Sequence, residues 1–117
     1  MCIRDREYIE KLNKYFVENK PYLNPELNLP QLATDTGISS HYLSQVINEY
    51  YKMNFFDYIN QQRVEVVKTR IIDLQYKNYS ILGIAFESGF NSKSAFNQVF
   101  KKFTGLTPSE YKKIHTV

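Results

Sequence analysis

Two stretches of this chain say nearly the same thing, and that repetition constrains the fold more than any bulk property. Leu32-Ala33-Thr34-Asp35-Thr36-Gly37-Ile38-Ser39 is echoed by Ile84-Ala85-Phe86-Glu87-Ser88-Gly89-Phe90-Asn91. Each copy leads into a segment that ends alike, Leu43-Ser44-Gln45-Val46-Ile47 and Phe96-Asn97-Gln98-Val99-Phe100. The echo then resumes, with Asn54-Phe55-Phe56-Asp57-Tyr58 standing 53 residues before Thr107-Pro108-Ser109-Glu110-Tyr111. Alanine, three residues, glycine, a polar cap and an apolar-striped segment describe one helix turning sharply into a second that packs across it. A chain that writes this twice is expected to build two helix-turn-helix units.

Periodicity places the remaining elements. Tyr8, Ile9, Leu12, Tyr15 and Phe16 form a one-sided stripe over a helix from Glu7 to Asn19, ended by Pro21 and Pro25. These aromatics are expected to pack in the core rather than on a neighbouring domain. Asn28 is placed to cap a short helix through Thr36, with Pro30 tolerated in its first turn. Gly37 and Gly89 supply the turns, and Ser39 and Asn91 are expected to cap the helices that follow. Between the units, Asn54 is placed to cap a long linker helix running to about Leu74, which would bury Phe55, Phe56, Ile59, Val66, Val67, Ile71 and Leu74. Ser80 caps the first helix of the second unit, and Thr107 with Glu110 writes a capping box for a final helix. No segment alternates with period two over a strand length. The expectation is an all-α chain of seven helices, with helix-turn-helix units at about 28–53 and 80–104, the linker at 54–74 and a terminal helix at 107–114.

Met1-Cys2-Ile3-Arg4-Asp5-Arg6 stands apart. It resembles the translation of a transposase-adapter sequence, and residues 1–6 are expected to be non-native, with the natural chain continuing upstream and 7–117 forming the domain. Cys2 is the one cysteine, so an intrachain disulfide is excluded and a cytoplasmic setting fits. No run of about 18 apolar residues offers a membrane span.

A net charge of +3 says little, but its distribution says more. Residues 91–117 hold five lysines against Glu110, whereas residues 1–90 hold ten basic against eleven acidic residues. The positive charge therefore gathers around the second unit, as a phosphate-facing surface requires. His41 and His115 are isolated, without partners for catalysis or a metal, and no glycine-rich phosphate loop is present, so an enzyme, a metal site and a cofactor are not expected.

The outward faces carry the functional signal. Leu43, Val46 and Ile47 point one way, while His41, Ser44, Gln45 and Asn48 point the other. In the second unit Phe96, Val99, Phe100 and Phe103 form the apolar set, opposite Ser94, Asn97, Gln98 and Lys101, with Lys93 beside them. A polar outer face is ordinarily just a solvated surface. Here the core and the face repeat together, and both faces are expected to be free of acidic residues, which avoids repulsion from phosphates. Short amide and hydroxyl side chains suit base edges in a major groove: Asn and Gln pair with adenine, and Lys with guanine acceptors. A linker helix of that length would span about 30 Å, close to the roughly 34 Å between successive major grooves.

The segment Ile84-Ala85-Phe86-Glu87-Ser88-Gly89-Phe90, continued by Ser94-Ala95-Phe96-Asn97-Gln98-Val99-Phe100-Lys101-Lys102-Phe103-Thr104-Gly105-Leu106-Thr107-Pro108-Ser109-Glu110-Tyr111, resembles the C-terminal DNA-binding domain of AraC/XylS-type transcription regulators. The resemblance runs from about Leu29 to Lys113 and includes Tyr58-Ile59 and Arg63-Val64 of the linker helix. It implies a homeodomain-like, two-headed fold with the third and sixth helices in successive grooves of double-stranded DNA. Base contacts would fall to His41, Ser44 and Gln45, and to Lys93, Ser94, Asn97 and Gln98. Phosphate contacts would fall to Lys101, Lys102, Asn48, Ser40 and Ser92, and structural roles to Ala33, Gly37, Arg63, Ala85, Gly89 and Gly105. It further implies transcription activation through RNA polymerase, a signal-sensing domain upstream and a homodimer formed through that domain, with a membrane anchor upstream also compatible. Two departures stand out. Lys52 sits where the family has glycine, at a cost of about 1 kcal/mol if the left-handed turn is kept, and Val67 replaces a small residue. A helical protein-interaction module without specific DNA binding is the competing reading.

Overall fold

In the computed structural model, residues 3–115 are described, and of Ile3 and Arg4 only the backbone. Met1 and Cys2, part of the adapter-like segment, lie outside them, as do Thr116 and Val117. Seven α-helices make up the described residues, with two short 3₁₀ turns and no strand. They are α1 (Ile3–Asn19), α2 (Leu29–Thr36), α3 (Ser40–Tyr51), α4 (Phe55–Ile71), α5 (Ile81–Glu87), α6 (Lys93–Thr104) and α7 (Pro108–His115). The chain divides into two compact units, residues 1–59 and 60–117, and the boundary falls inside α4.

The first unit closes around Leu12, Phe16, Leu32, Ile38, Leu43, Ile47, Tyr58 and Ile59. Phe16 is thus a core residue, and Tyr8 and Tyr15 pack partly buried against that core. Tyr58 joins three elements: its ring lies 5.3 Å from Phe16 and 4.6 Å from Tyr51, centroid to centroid. Burial pushes the Tyr58 phenol far above its ordinary range, so it stays neutral wherever the fold exists. Tyr51 donates its hydroxyl to Asn13 Oδ1 at 2.7 Å, which ties α3 back to α1.

The second unit buries Val64, Val67, Ile71, Ile84, Ala85, Phe90, Phe96 and Phe100. Val67, the departure from a small residue, is fully buried there. Phe96 packs between Phe90 and Phe100, and Tyr111 of α7 meets the Phe100 ring edge-on at 5.5 Å.

Capping explains most helix starts. Asn28, Ser39, Asn54 and Ser80 each accept a first-turn N–H on their side-chain oxygen, at 2.8 to 3.2 Å. Thr107 and Glu110 exchange the two bonds of a capping box, Thr107 N–H to Glu110 at 3.0 Å and Glu110 N–H to Thr107 at 3.2 Å. Accepting the Thr107 backbone N–H holds the Glu110 carboxyl below its usual range.

The linker helix differs from the sequence expectation. It ends at Ile71, and Asp73 caps a 3₁₀ turn over Leu74–Tyr76. Leu74 is therefore 82% exposed rather than buried, and Phe56 is 75% exposed. Phe56 lies beside Phe55 in sequence, so on a helix the two rings diverge by about 100° and only one can enter the core. Phe55 is the one that faces it, packing partly buried against the first core, and Val66 is half-buried.

Lys52 holds the left-handed conformation at the end of α3, with φ 59°, as Gly105 does at the end of α6, with φ 78°. A Cβ on Gly105 would meet nothing within 4 Å, so any penalty there is purely one of backbone. Lys52→Gly is expected to stabilise the chain by up to about 1 kcal/mol, and Gly105→Ala to destabilise it by about the same. Urea unfolding of both variants checks the pair of opposite signs.

Candidate nucleic-acid interface

Each head is built by one device. In the first, Gly37 takes φ 73° and returns its N–H to Ala33 O at 2.9 Å, turning the chain so that Ile38 enters the core and Ser39 opens α3. In the second, Gly89 takes φ 105°, and the carbonyl of Ala85 accepts from both Ser88 and Phe90. Ala85 is completely buried and Ala33 half-buried against its core, where α2 and α5 approach their partners.

Beneath each turn lies a buried hydroxyl that sequence reading passed over. Thr36 donates to Leu32 O at 2.8 Å, and Ser88 donates to Ile84 O at 2.7 Å. Both side chains are buried, so each hydroxyl must find its partner inside the unit, and each finds the carbonyl one turn back. Ser88 also receives Arg70 Nη1 at 3.3 Å, while the same nitrogen donates to Glu87 O at 3.0 Å, at the carbonyl end of α5. The Arg70 guanidinium lies 5.3 Å from the Tyr76 ring centroid. No local pattern announces this contact, because Arg70 and Glu87 are 17 residues apart. Arg63 is half-buried on α4, donates Nη1 to Asn60 Oδ1 at 3.3 Å, and has its pKa lowered by burial.

One cap moves. The helix α6 begins after Ser92, whose hydroxyl accepts from Ala95 N–H at 3.1 Å; Asn91 is an ordinary turn residue. The two turns match at an offset of 52 residues, the helices behind them at 53, because the second turn is one residue longer. Asn91 looks like the counterpart of Ser39 only if that extra residue is ignored.

On α3, His41, Ser44, Gln45 and Asn48 are all exposed, over the buried Leu43, Val46 and Ile47. On α6, Lys93, Ser94, Asn97, Gln98, Lys101 and Lys102 are exposed over the buried Phe96 and Phe100 and the half-buried Val99 and Phe103. Ser40 and Ser92, at the helix starts, are half-buried. Lys101 and Lys102 occupy the last turn of α6, where cations complement the helix dipole. The His41 ring meets Tyr42 edge-on at 6.0 Å. The first face is not free of acid, however: Gln45 Nε2 donates to Glu49 Oε1 at 3.3 Å, one turn on. Among the described residues no group of three or more acidic, histidine or cysteine side chains could hold a metal. No helix among them is long and apolar enough to cross a membrane.

A pair of short helices crossed at a glycine turn, with a polar face outward and a second copy in the same chain, defines a two-headed helix-turn-helix protein. The profile of the helix-turn-helix domain family matches residues 32–114, and the chain belongs to that family, of the AraC type. It is 31% identical over 103 residues to an uncharacterized HTH-type transcriptional regulator of Staphylococcus aureus, covering 88% of this chain and 13% of that protein. The chain thus spans about an eighth of that relative's length. Among solved structures, it resembles the C-terminal domain of the two-component response regulator yesN from Fusobacterium nucleatum, with a TM-score of 0.72, 29% identity and coverage of 91% and 98%. It shares its fold with a transcriptional regulator of Chromobacterium violaceum described as containing an AraC-type DNA-binding domain, with a TM-score of 0.76, 20% identity and coverage of 94% and 96%.

The shifted cap gives a direct check. Ser92→Ala is expected to cost about 1 kcal/mol, the usual loss for an N-cap hydroxyl, while Asn91→Ala changes stability by less than about 0.5 kcal/mol, as a surface substitution does. Thermal unfolding of the two variants separates them.

Proposed function

We propose that this chain binds double-stranded DNA sequence-specifically, with α3 and α6 each laid in a major groove and the two grooves successive. The observation that carries this reading is the paired polar face. His41, Ser44 and Gln45 on α3 stand at the same helical positions as Ser94, Asn97 and Gln98 on α6, and all are exposed above a buried apolar stripe. Hydrogen-bonding side chains of this length suit base edges. Lys93 joins them at the start of α6, while Lys101, Lys102, Asn48, Ser40 and Ser92 are assigned to phosphates, which position the domain without reading sequence. With both lysines of its last turn, the second head supplies more of the electrostatic grip, and the first depends more on its fit to bases.

In the whole protein, this domain directs transcription, by activation through RNA polymerase, in response to a signal sensed by an upstream domain that also forms a homodimer. The family resemblance supports activation and polymerase contact, and the far greater length of the S. aureus relative supports a sensing portion elsewhere.

Selection of duplexes from a randomised pool, followed by fluorescence anisotropy, tests the binding. Asn97→Ala is expected to relax preference at one base pair, costing about 1–3 kcal/mol against the preferred site. Lys101→Ala is expected to weaken all duplexes alike and reduce the log–log salt slope by about 0.9. Separating the two half-sites by a further half turn, about five base pairs, is expected to abolish two-headed binding. A folded domain that binds no duplex would instead favour the protein-interaction module.

A further inference from the structure

The two heads carry the same glutamine at the same helical position, Gln45 on α3 and Gln98 on α6, 53 residues apart. Four residues on, the chemistry inverts: Glu49 follows the first and Lys102 follows the second. In the first head the consequence is visible. Gln45 Nε2 donates to Glu49 Oε1 at 3.3 Å, and both side chains are exposed on the outer side of α3. A carboxylate only accepts, so only the NH₂ half of the amide can face it. That sets which way round the amide sits, and leaves its second N–H and its carbonyl oxygen to point elsewhere.

We propose that Glu49 is a specificity-determining residue of the first head, fixing which way round the Gln45 amide meets a base edge. This rests on the DNA-binding reading above. A free glutamine pairs bidentately with adenine, donating to N7 and accepting from the N6 amino group. A glutamine that gives one N–H to a carboxylate keeps its second N–H and its carbonyl oxygen, but cannot turn over without breaking that bond. It then favours adenine, whose N7 accepts and whose N6 amino group donates, and disfavours guanine, whose N7 and O6 only accept. In water the Gln45–Glu49 bond adds little to stability. Inside a desolvated groove, breaking it would leave a carboxylate unpaired near phosphates, so the pair persists there. At Gln98 no carboxylate stands one turn on. The two identical glutamines therefore read differently.

The test is the base profile of the intact chain, measured with duplex panels carrying each of the four base pairs at every position of the selected site. The unchanged chain is expected to prefer adenine at the Gln45-dependent position and to reject guanine by about fivefold or more. Glu49→Ala, which frees the amide to turn over, is expected to relax that position, with guanine rising toward adenine. Glu49→Lys, whose ammonium draws the carbonyl oxygen instead, is expected to admit guanine. Positions read by the second head stay unchanged in both variants. Thermal melts confirm folding, which an exposed substitution preserves. A selective profile that neither variant alters, with affinity merely rising for all duplexes, would overturn this role and leave the binding proposal intact. Equal binding of the unchanged chain to every duplex would overturn both.

Discussion

Everything on the outer faces depends on how each first helix ends. A helix-turn-helix must stop one helix and start another within a few residues, inside a core where stranded polar groups are costly. Here two features solve that problem together. A glycine with positive φ reverses the chain, and a buried hydroxyl from Thr36 or Ser88 closes onto the carbonyl one turn back. With those carbonyls satisfied, Ile38 and Phe90 can be driven into their cores directly after the turn. The second helix then starts at a fixed angular phase, and that phase decides which side chains face outward. The outward face is set from beneath.

Much of this was legible in the sequence because the relevant forces are local. Caps act over three residues, so Asn28, Ser39, Asn54, Ser80 and the Thr107–Glu110 box could be recognised from spacing alone. The apolar stripes of α3 and α6 followed from helical period, and the left-handed Lys52 from its alignment with Gly105. What escaped was decided by longer range or by competition. Phe56 and Leu74 satisfied an apolar count, but Phe55 took the side that faces the core and Asp73 ended the linker region in a 3₁₀ turn. Arg70 found its carbonyl 17 residues away, and the Ser92 cap was hidden by the extra turn residue. The missed acid, Glu49, shows a different limit: listing one face by residue type overlooked a neighbour that reaches onto it.

The heads share a frame and diverge in what fills it. The first core sets the aliphatic Leu12, Leu32, Leu43 and Ile47 around Phe16 and the buried Tyr58, whereas the second is built on the phenylalanines Phe90, Phe96 and Phe100. Their surfaces part in the same way, since α6 ends in Lys101 and Lys102 where α3 has no basic residue in its last turn. The repeat preserves backbone solutions more strictly than side-chain chemistry, as expected where turn geometry has few alternatives and surfaces have many.

The extra residue of the second turn shows where such a unit can change length. One residue inserted within α6 would rotate every later side chain by about 100° about the helix axis, moving Phe96 and Phe100 toward solvent and the lysines toward the core. Inserted before the cap, it is absorbed by loop backbone, and the helix restarts in phase from Ser92 instead of Asn91. The turn therefore works as a slip joint: it takes up a change in chain length while the helix beyond it keeps its orientation in the unit. A duplicated head could thereby drift in sequence and length without losing the face it presents.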